Sequence, residues 1–136
     1  MPDQRTPEQK LADKKAFASA VEEAKTYLRI AASERRTVTY AELSDALTAL
    51  KIPHFSFRMM HLLDRVCTEE DAARGIMLAT LVVSKQTGLP GQGYFRNAAR
   101  LGRTGDDQRR VWEAERDRVF EAYAGYAPDA GRSGRE

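Results

Sequence analysis

The sequence predicts a mainly α-helical fold with a small β-sheet, that is, an α+β class, and three observations predict it. Several segments carry apolar residues three and four positions apart, the spacing that places side chains on one stripe of a helix. Two capping boxes mark helix starts, one in 6–9 (TPEQ) and one in 39–42 (TYAE). Only two segments, 37–39 and 76–83, favour strands, so the sheet must be small.

A long N-terminal helix is expected to begin after Thr6. Thr6 can cap it, Pro7 is tolerated at the first helical position, and Gln9 can complete the capping box. The stripe that should face the core has spacings of four, three, four and three residues: Phe17, Val21, Ala24, Leu28 and Ala31. The helix is expected to end within 33–36.

Two more helices are expected in the next part of the chain. Thr39 can cap a helix that ends before Pro53, and Ser56 can cap the helix that follows. The inward residues of the first are Leu43, Ala46, Leu47 and Leu50. Those of the second are Met59 or Met60, Leu63 and Val66. Thr68 and Asp71 predict one further helical turn, which Gly75 closes.

The second half of the chain is expected to hold a central strand, a glycine-rich turn and two helices. The run 76–83 is apolar and β-branched at its end, and glycines bracket it, so it is predicted to be a strand. Residues 94–101 have helical spacing, with Gly102 as a left-handed stop. A last helix over about 107–124 brings six residues near one face: Val111, Trp112, Glu115, Val119, Phe120 and Tyr123.

Length and composition indicate a single domain over 7–126, with disordered ends at 1–6 and 127–136. The 136 residues suffice for one core without a metal or disulfide. The C-terminal end is rich in glycine, proline and charge, which disfavours a packed structure. No apolar run approaches the roughly 20 residues that span a bilayer, and the N-terminus shows no secretory or transit peptide. A cytoplasmic location without a membrane partner is therefore expected.

The single cysteine and the two histidines offer little chemistry. Cys67 alone excludes an internal disulfide and a multi-cysteine zinc site, and it is expected to be a small apolar core residue. His54 and His61 lie seven positions apart with no third ligand at a matching spacing, so no metal is expected. His61 and Cys67 would point away from each other on a helix. With no catalytic group and no cofactor-binding loop recognised, the chain is expected not to be an enzyme.

The distribution of charge, rather than its total, suggests a partner. The net charge of +2 is too small to indicate nucleic acid by itself. Residues 72–105 contain no acidic side chain but five basic ones: Arg74, Lys85, Arg96, Arg100 and Arg103. The last three stand four and three positions apart and would share one face of a helix. Two interpretations are open: a phosphate-facing surface, or salt bridges to carboxylates near the last helix, such as Asp106, Asp107 or Glu113.

The glycine-rich turn of residues 88–93 also has two interpretations. As a functional loop, it carries Tyr94 and Phe95 towards a phosphate backbone or an unpaired base, with Lys85 and Arg96 as cations. As a structural turn, its glycines only supply positive φ angles, and the two rings pack into the core. The glycine spacing matches neither the dinucleotide fingerprint nor the P-loop.

The order of the predicted elements is that of a winged helix-turn-helix: long helix, short strand, capped helix, second helix, strand and glycine-containing turn. In such folds the second helix of the pair enters the major groove, and flanking residues hold phosphates. One feature differs, because 94–101 has a helical pattern where a returning strand would be expected. The wing is therefore expected to be only a loop.

Two segments resemble known families. Residues 36–43, RTVTYAEL, resemble the start of the winged-helix domain of alkyltransferase-like proteins. This resemblance implies the fold and not alkyl transfer, because the family's reactive proline-cysteine-histidine-arginine run is absent and Thr68 and Glu69 follow Cys67. Residues 81–95, LVVSKQTGLPGQGYF, are similar to a segment of a family of small uncharacterised bacterial proteins. The second resemblance implies a shared structure and carries no activity.

These observations predict a non-enzymatic protein that binds nucleic acid, with double-stranded DNA as the expected partner, through a basic surface near the glycine-rich turn. The residues expected to contact phosphates are Arg58, Arg65, Lys85, Arg96, Arg100 and Arg103. Base contacts are expected from His54, Ser56 or His61. The alternative is a protein-interaction or homodimerisation module, whose surface would be the apolar strand together with Trp112, Phe120 and Tyr123.

Overall fold

The computed structural model of this protein describes residues 4–128, which form five α-helices and a two-stranded parallel sheet. The helices are α1 (Pro7–Ser33), α2 (Tyr40–Ala46), α3 (Phe57–Arg74), α4 (Gln92–Arg100) and α5 (Gln108–Ala122). The strands are β1 (Val38–Thr39) and β2 (Val82–Val83), with Val38 opposite Val82 and Thr39 opposite Val83. A mostly helical α+β class is therefore confirmed. No helix within residues 4–128 combines the length and apolar character needed to cross a membrane.

Helix α1 follows the sequence prediction closely. Thr6 Oγ1 accepts a hydrogen bond from the Gln9 amide at 3.1 Å, and Gln9 Oε1 accepts one from the Thr6 amide at 2.8 Å. The predicted stripe from Val21 to Ala31 is buried, and Phe17 packs at its edge. Of the two ends expected to be disordered, residues 1–3 and 129–136 lie outside the described part of the chain.

Helix α3 is continuous, so the expected restart at Thr68 is wrong. No glycine or proline lies between Phe57 and Arg74, and the buried positions Met59, Leu62 and Val66 continue to Glu70 at helical spacing. Gly75 ends the helix as expected, with a φ of +73° that a residue with a side chain rarely adopts.

The segment 76–83 is only partly the strand that its composition predicts. Residues Leu78–Leu81 form one turn of 3-10 helix, and β2 contains only two residues. The reason is the lack of a partner strand: in the parallel register residues 78–81 would lie opposite 34–37, where α1 has just ended and Arg35 has a φ of +54°, so an extended 78–81 would leave buried backbone groups unpaired. Side chains from α5 satisfy these groups instead. Glu115 Oε2 accepts from the Met77 amide at 2.8 Å, and Trp112 Nε1 donates to the Thr80 carbonyl at 2.8 Å.

Helix α4 begins at Gln92, two residues before the predicted start at Tyr94. The chain therefore turns directly from β2 and the glycine-rich turn into a helix, as expected for a wing reduced to a loop. Within residues 4–128, β1 is the sole partner of β2 and the pairing is parallel, so the hairpin of a winged helix is not confirmed. Helix α5 begins after Asp107, whose Oδ1 accepts from the Arg109 amide at 3.0 Å.

Two glutamates are buried in the core, each only 2% exposed, and each is neutralised by cations. Glu70 accepts a hydrogen bond from Arg29 Nη2 at 2.5 Å and a second one from the Tyr123 hydroxyl. Glu115 pairs with Arg103 at 3.1 Å and Arg118 at 2.8 Å. These pairs join helices that are distant in sequence, because a buried carboxylate needs charged and hydrogen-bonded neighbours.

Candidate functional site

A groove of about 770 Å³ lies between α3 and α4. Its volume falls in the range of small-molecule sites. The inner wall consists of buried or half-buried apolar side chains: Met59, Leu63, Cys67, Ala79, Val82 and Tyr94. The outer part carries the exposed aromatic and charged residues described below. This feature is called the α3–α4 groove.

One side of the groove is a row of aromatic rings. Phe55 and Phe57 line it and are 77% and 80% exposed, the highest values among the large apolar side chains of the described residues. The Phe55 ring lies 4.4 Å from the His54 ring and 6.3 Å from the Tyr40 ring, measured between centroids. Met60, also in the lining, is 44% exposed. Large apolar groups gathered in this way on a surface usually mark a binding site.

The capping of α3 explains why these rings face outwards. Ser56 Oγ accepts from the Met59 amide at 3.1 Å and donates to the Pro53 carbonyl at 2.7 Å. This cap fixes the start of the helix so that Met59 enters the core. Phe55 and Phe57 flank the capping residue and therefore remain outside the buried stripe.

The other side of the groove is cationic. Arg96 and Arg100 are both exposed and line the groove from successive turns of α4. Within residues 4–128, Arg96 forms no hydrogen bond or ion pair. Arg100 Nη2 donates to Thr68 Oγ1 at 3.1 Å and to Asn97 Oδ1, which orients its guanidinium group without neutralising it. The groove lining contains one carboxylate, Asp64, and no ion pair joins it to either arginine.

Two tyrosines fix the relative positions of the groove walls. Tyr40 Oη, at the start of α2, accepts from the Gly91 amide at 2.9 Å and so holds the start of α4. Tyr94 Oη lies 2.8 Å from Thr80 Oγ1. Burial raises the pKa of both phenols above the usual range, so both remain protonated at neutral pH. The walls therefore keep their hydrogen bonds across the physiological range.

Cys67 lies at the inner wall and is 1% exposed. Burial raises the pKa of its thiol to about 12. The thiolate needed for nucleophilic attack is therefore scarce at neutral pH. The expectation that Cys67 packs as a small apolar residue of a helix is confirmed.

Arg103 does not share the exposed face predicted for it with Arg96 and Arg100. Its Nη1 lies 2.6 Å from Asp71 Oδ1 and its Nε 3.1 Å from Glu115 Oε1, and Nη2 donates to the Gly75 carbonyl at 2.8 Å. The arginine side chain is only 15% exposed. Of the two interpretations left open by the sequence, the salt-bridge one describes Arg103, but with carboxylates other than the expected Asp106, Asp107 or Glu113.

The remaining predicted contact residues are scattered around the groove. Arg65 pairs with Glu69 at 3.0 Å and stacks over the Phe17 ring, so its charge is already neutralised. Arg58, His61 and Lys85 are exposed, lie outside the groove lining and form no ion pair within residues 4–128. His54 and Ser56, expected to make base contacts, do line the groove.

The aromatic residues of the glycine-rich turn follow the structural interpretation. Gly88 has a φ of +71° and closes the turn by donating to the Ser84 carbonyl at 2.8 Å. Phe95 is 9% exposed and packs with Val83 and Trp112. Tyr94 is half-buried and reaches the groove only as part of its wall.

The residues expected to form the surface of a protein-interaction module are buried in the core. Trp112, Phe120 and Tyr123 are 4%, 6% and 3% exposed, and the residues of 76–83 are buried. They hold α5 against the core because their apolar area is removed from water within the chain. Among residues 4–128, the exposed large apolar side chains are instead Phe55, Phe57 and Met60 of the groove and Leu11 of α1.

Compared with known proteins, the chain matches no family model, no curated sequence and no solved structure. The chemistry of the groove is therefore the basis for assigning a function. Exposed rings on one side and two unneutralised guanidinium groups on the other fit a ligand that is both aromatic and anionic. No cluster of three or more His, Cys, Asp or Glu side chains within residues 4–128 could hold a metal ion.

The aromatic side of the groove was missed at the level of sequence. Phe57 and Met60 lie on α3 but outside the stripe of Met59, Leu62 and Val66 that enters the core. A helix start that carries large apolar residues on the wrong face is a signal for exposed apolar surface. The sequence predicted that either Met59 or Met60 faces the core, and this already implied that the other methionine is exposed.

Proposed function

We propose that this protein binds nucleic acid through the α3–α4 groove. The observation that carries the proposal is that one groove holds both exposed aromatic rings and free cations. The rings are Phe55 and Phe57, and the cations are Arg96 and Arg100, which have no carboxylate partner in the described residues. Nucleic acid offers both matching groups in one polymer, since each nucleotide carries a phosphate and a flat base. No catalytic step is part of the proposal.

Charge around the groove supports a polyanionic partner. Exposed Arg58 and Lys85 add positive charge outside the lining, and Asp64 is the only carboxylate in it. Phosphates that bind at such a surface release counterions, so the affinity should fall steeply with salt. The modest net charge of +2 is compatible with this, because several acidic residues, Glu70 and Glu115 among them, form ion pairs away from the groove.

The order of helices offers a second line of support. Helices α2 and α3, flanked by β1 and β2, retain the element order of a helix-turn-helix, with α3 in the position of the helix that contacts DNA. We therefore keep a winged-helix-like domain, with its wing reduced to the loop before α4, as part of the proposal. Double-stranded DNA is the partner that this comparison of element order favours.

The proposal is tested by fluorescence anisotropy with labelled oligonucleotides, single-stranded and duplex, at about 50 and about 200 mM salt. Substituting both groove arginines, Arg96→Gln with Arg100→Gln, should weaken binding about tenfold and lower the slope of log affinity against log salt by about 1.5. The matched control is Arg109→Gln with Arg110→Gln, two exposed cations of α5 that do not line the groove. The control should change the affinity less than about twofold.

Two results would overturn the proposal. The first is the absence of binding to any oligonucleotide at low salt. The second is equal weakening by the groove variant and by the α5 control, which would indicate general attraction to a basic surface. Light scattering tests the alternative function, a homodimerisation module, in the same samples. If the protein is a dimer that binds no oligonucleotide, and Phe57→Ala makes it a monomer, the groove is a protein interface.

A further inference from the structure

We infer that the α3–α4 groove takes unpaired nucleotides, so that the protein binds single-stranded nucleic acid in preference to duplex. This inference rests on the proposed function and narrows it. It departs from the duplex partner that the order of helices favours. The reason lies in what the first turn of α3 presents to the solvent.

A helix that reads a duplex presents polar side chains to base edges from its first turns. The first turn of α3 presents Phe57 and Met60 beside Arg58, and Phe55 precedes the cap. Two large phenyl rings can form few favourable contacts with a duplex, because its outer surface is charged and its bases are already stacked on one another. The same rings gain much from an unpaired base, which has two exposed faces for stacking.

The second argument is the shape of the surface. The start of α4 lies close beside α3: a Cβ atom on Gly93 would lie 3.8 Å from Met60 Cε. The exposed part of α3 thus forms one wall of a concave groove rather than a ridge that could enter a major groove. A concave, largely apolar site of about 770 Å³ can accept flat rings that leave a stack.

The third argument is how rings and cations are arranged. His54, Phe55 and Tyr40 form a row of neighbouring rings at one side, a platform on which a base can stack. On the other side, Nε and Nη1 of Arg100 form no hydrogen bond within residues 4–128, and Arg96 has no partner there. A nucleotide with its base on the rings could place its phosphate towards these donors.

The test separates bases from phosphates by comparing three probes with strands of about 12 nucleotides: a thymidine single strand, an abasic strand of equal length and a blunt-ended duplex. The abasic strand keeps the phosphates and lacks the bases. We expect the thymidine strand to bind at least about tenfold more tightly than either of the other probes at the same salt. The double variant Phe55→Ala with Phe57→Ala should lower thymidine-strand affinity to that of the abasic strand and leave abasic binding unchanged.

The matched control is Leu11→Ala, which truncates a 53%-exposed apolar side chain of α1 outside the groove and should leave all three affinities unchanged. Circular dichroism checks that each variant is folded, as expected for changes at exposed positions. Duplex binding as tight as single-strand binding, or equal binding of the abasic and thymidine strands, overturns this inference while the proposed function stands. No binding to any probe overturns the proposed function itself.

Discussion

Two environments for arginine lie within eight residues of each other, and their difference shows which guanidinium groups are used within the fold. Arg96 and Arg100 lie on the exposed face of α4 with no carboxylate bound to them in the described residues. Arg103 lies beneath, in contact with Asp71 and Glu115. One region holds the fold together, and the other is open to a ligand.

The reason for the difference is the end of α4. The helix stops at Arg100, and Gly102 adopts a φ of +89°, which reverses the chain. The Arg103 amide then donates to the Ala98 carbonyl at 2.8 Å, and its side chain turns towards α3 and α5. The spacing of four and three residues therefore does not place Arg103 on the same helix face as Arg96 and Arg100, because α4 ends at Arg100.

The largest expected effect comes from the buried side of this comparison. Glu115→Gln removes the charge that neutralises Arg103 and Arg118 but keeps an acceptor for the Met77 amide. We expect the free energy of unfolding to fall by about 2 kcal/mol, because the largely buried Arg103 then keeps only Asp71 as a counter-charge. Urea denaturation followed by circular dichroism measures this. A loss below about 1 kcal/mol would show that the cluster contributes little.

A second variant sharpens the same point. Arg103→Met should also destabilise the fold, because it leaves Asp71 and Glu115 with fewer cations. The double variant Arg103→Met with Glu115→Gln should lose less than the sum of the single losses, by about 1 to 3 kcal/mol, because the two groups interact directly. Strict additivity of the two unfolding free energies would contradict a direct pairing.

The other buried carboxylate gives a smaller effect. Tyr123→Phe removes the hydroxyl that donates to Glu70, while Arg29 continues to pair with it. Burial, and then the neighbouring Glu70, raises the pKa of Tyr123 to about 12, so the hydroxyl remains a donor up to high pH. We expect a loss of about 1.5 kcal/mol in unfolding free energy, the usual value for a hydrogen bond to a charged group. An unchanged urea midpoint would contradict this role.

Local signals in the sequence predicted where the helices begin, but not that α2 ends at Ala46 before Leu47 and Leu50, and they predicted the site only in part. Capping residues and apolar stripes specify α1 and α5 because both act over a few residues. The strand predicted over 76–83 failed because a strand depends on a distant partner, and β1 offers only two residues. Likewise, no spacing reveals that Asp71 and Glu115 reach Arg103, since those contacts form only in the folded chain.

A pH-dependent prediction concerns an ion pair at the edge of the core. Hydrogen bonds from Lys25 and then Arg65 hold the pKa of Glu69 below its ordinary value, against the opposing effect of burial. A carboxyl with a lowered folded pKa stabilises the fold above its ordinary pKa, and this contribution is lost as the pH falls towards the folded value. Between about pH 6 and pH 3, Glu69→Gln should therefore lose less stability than the unmodified chain. Parallel thermal-melting curves over this range would contradict the assignment.

The smallest expected effect on stability comes from the open side of the comparison. Arg96→Gln with Arg100→Gln removes two charges that bind no carboxylate in the described residues, so the unfolding free energy should change by less than about 0.5 kcal/mol. The same variant is the one expected to lose nucleic-acid affinity, whereas folded Glu115→Gln should keep it. Urea denaturation and anisotropy on both variants measure the two properties in parallel. A groove variant that unfolds as easily as Glu115→Gln would mean that Arg96 and Arg100 serve the fold, and the distinction between an open and a structural arginine face would fail.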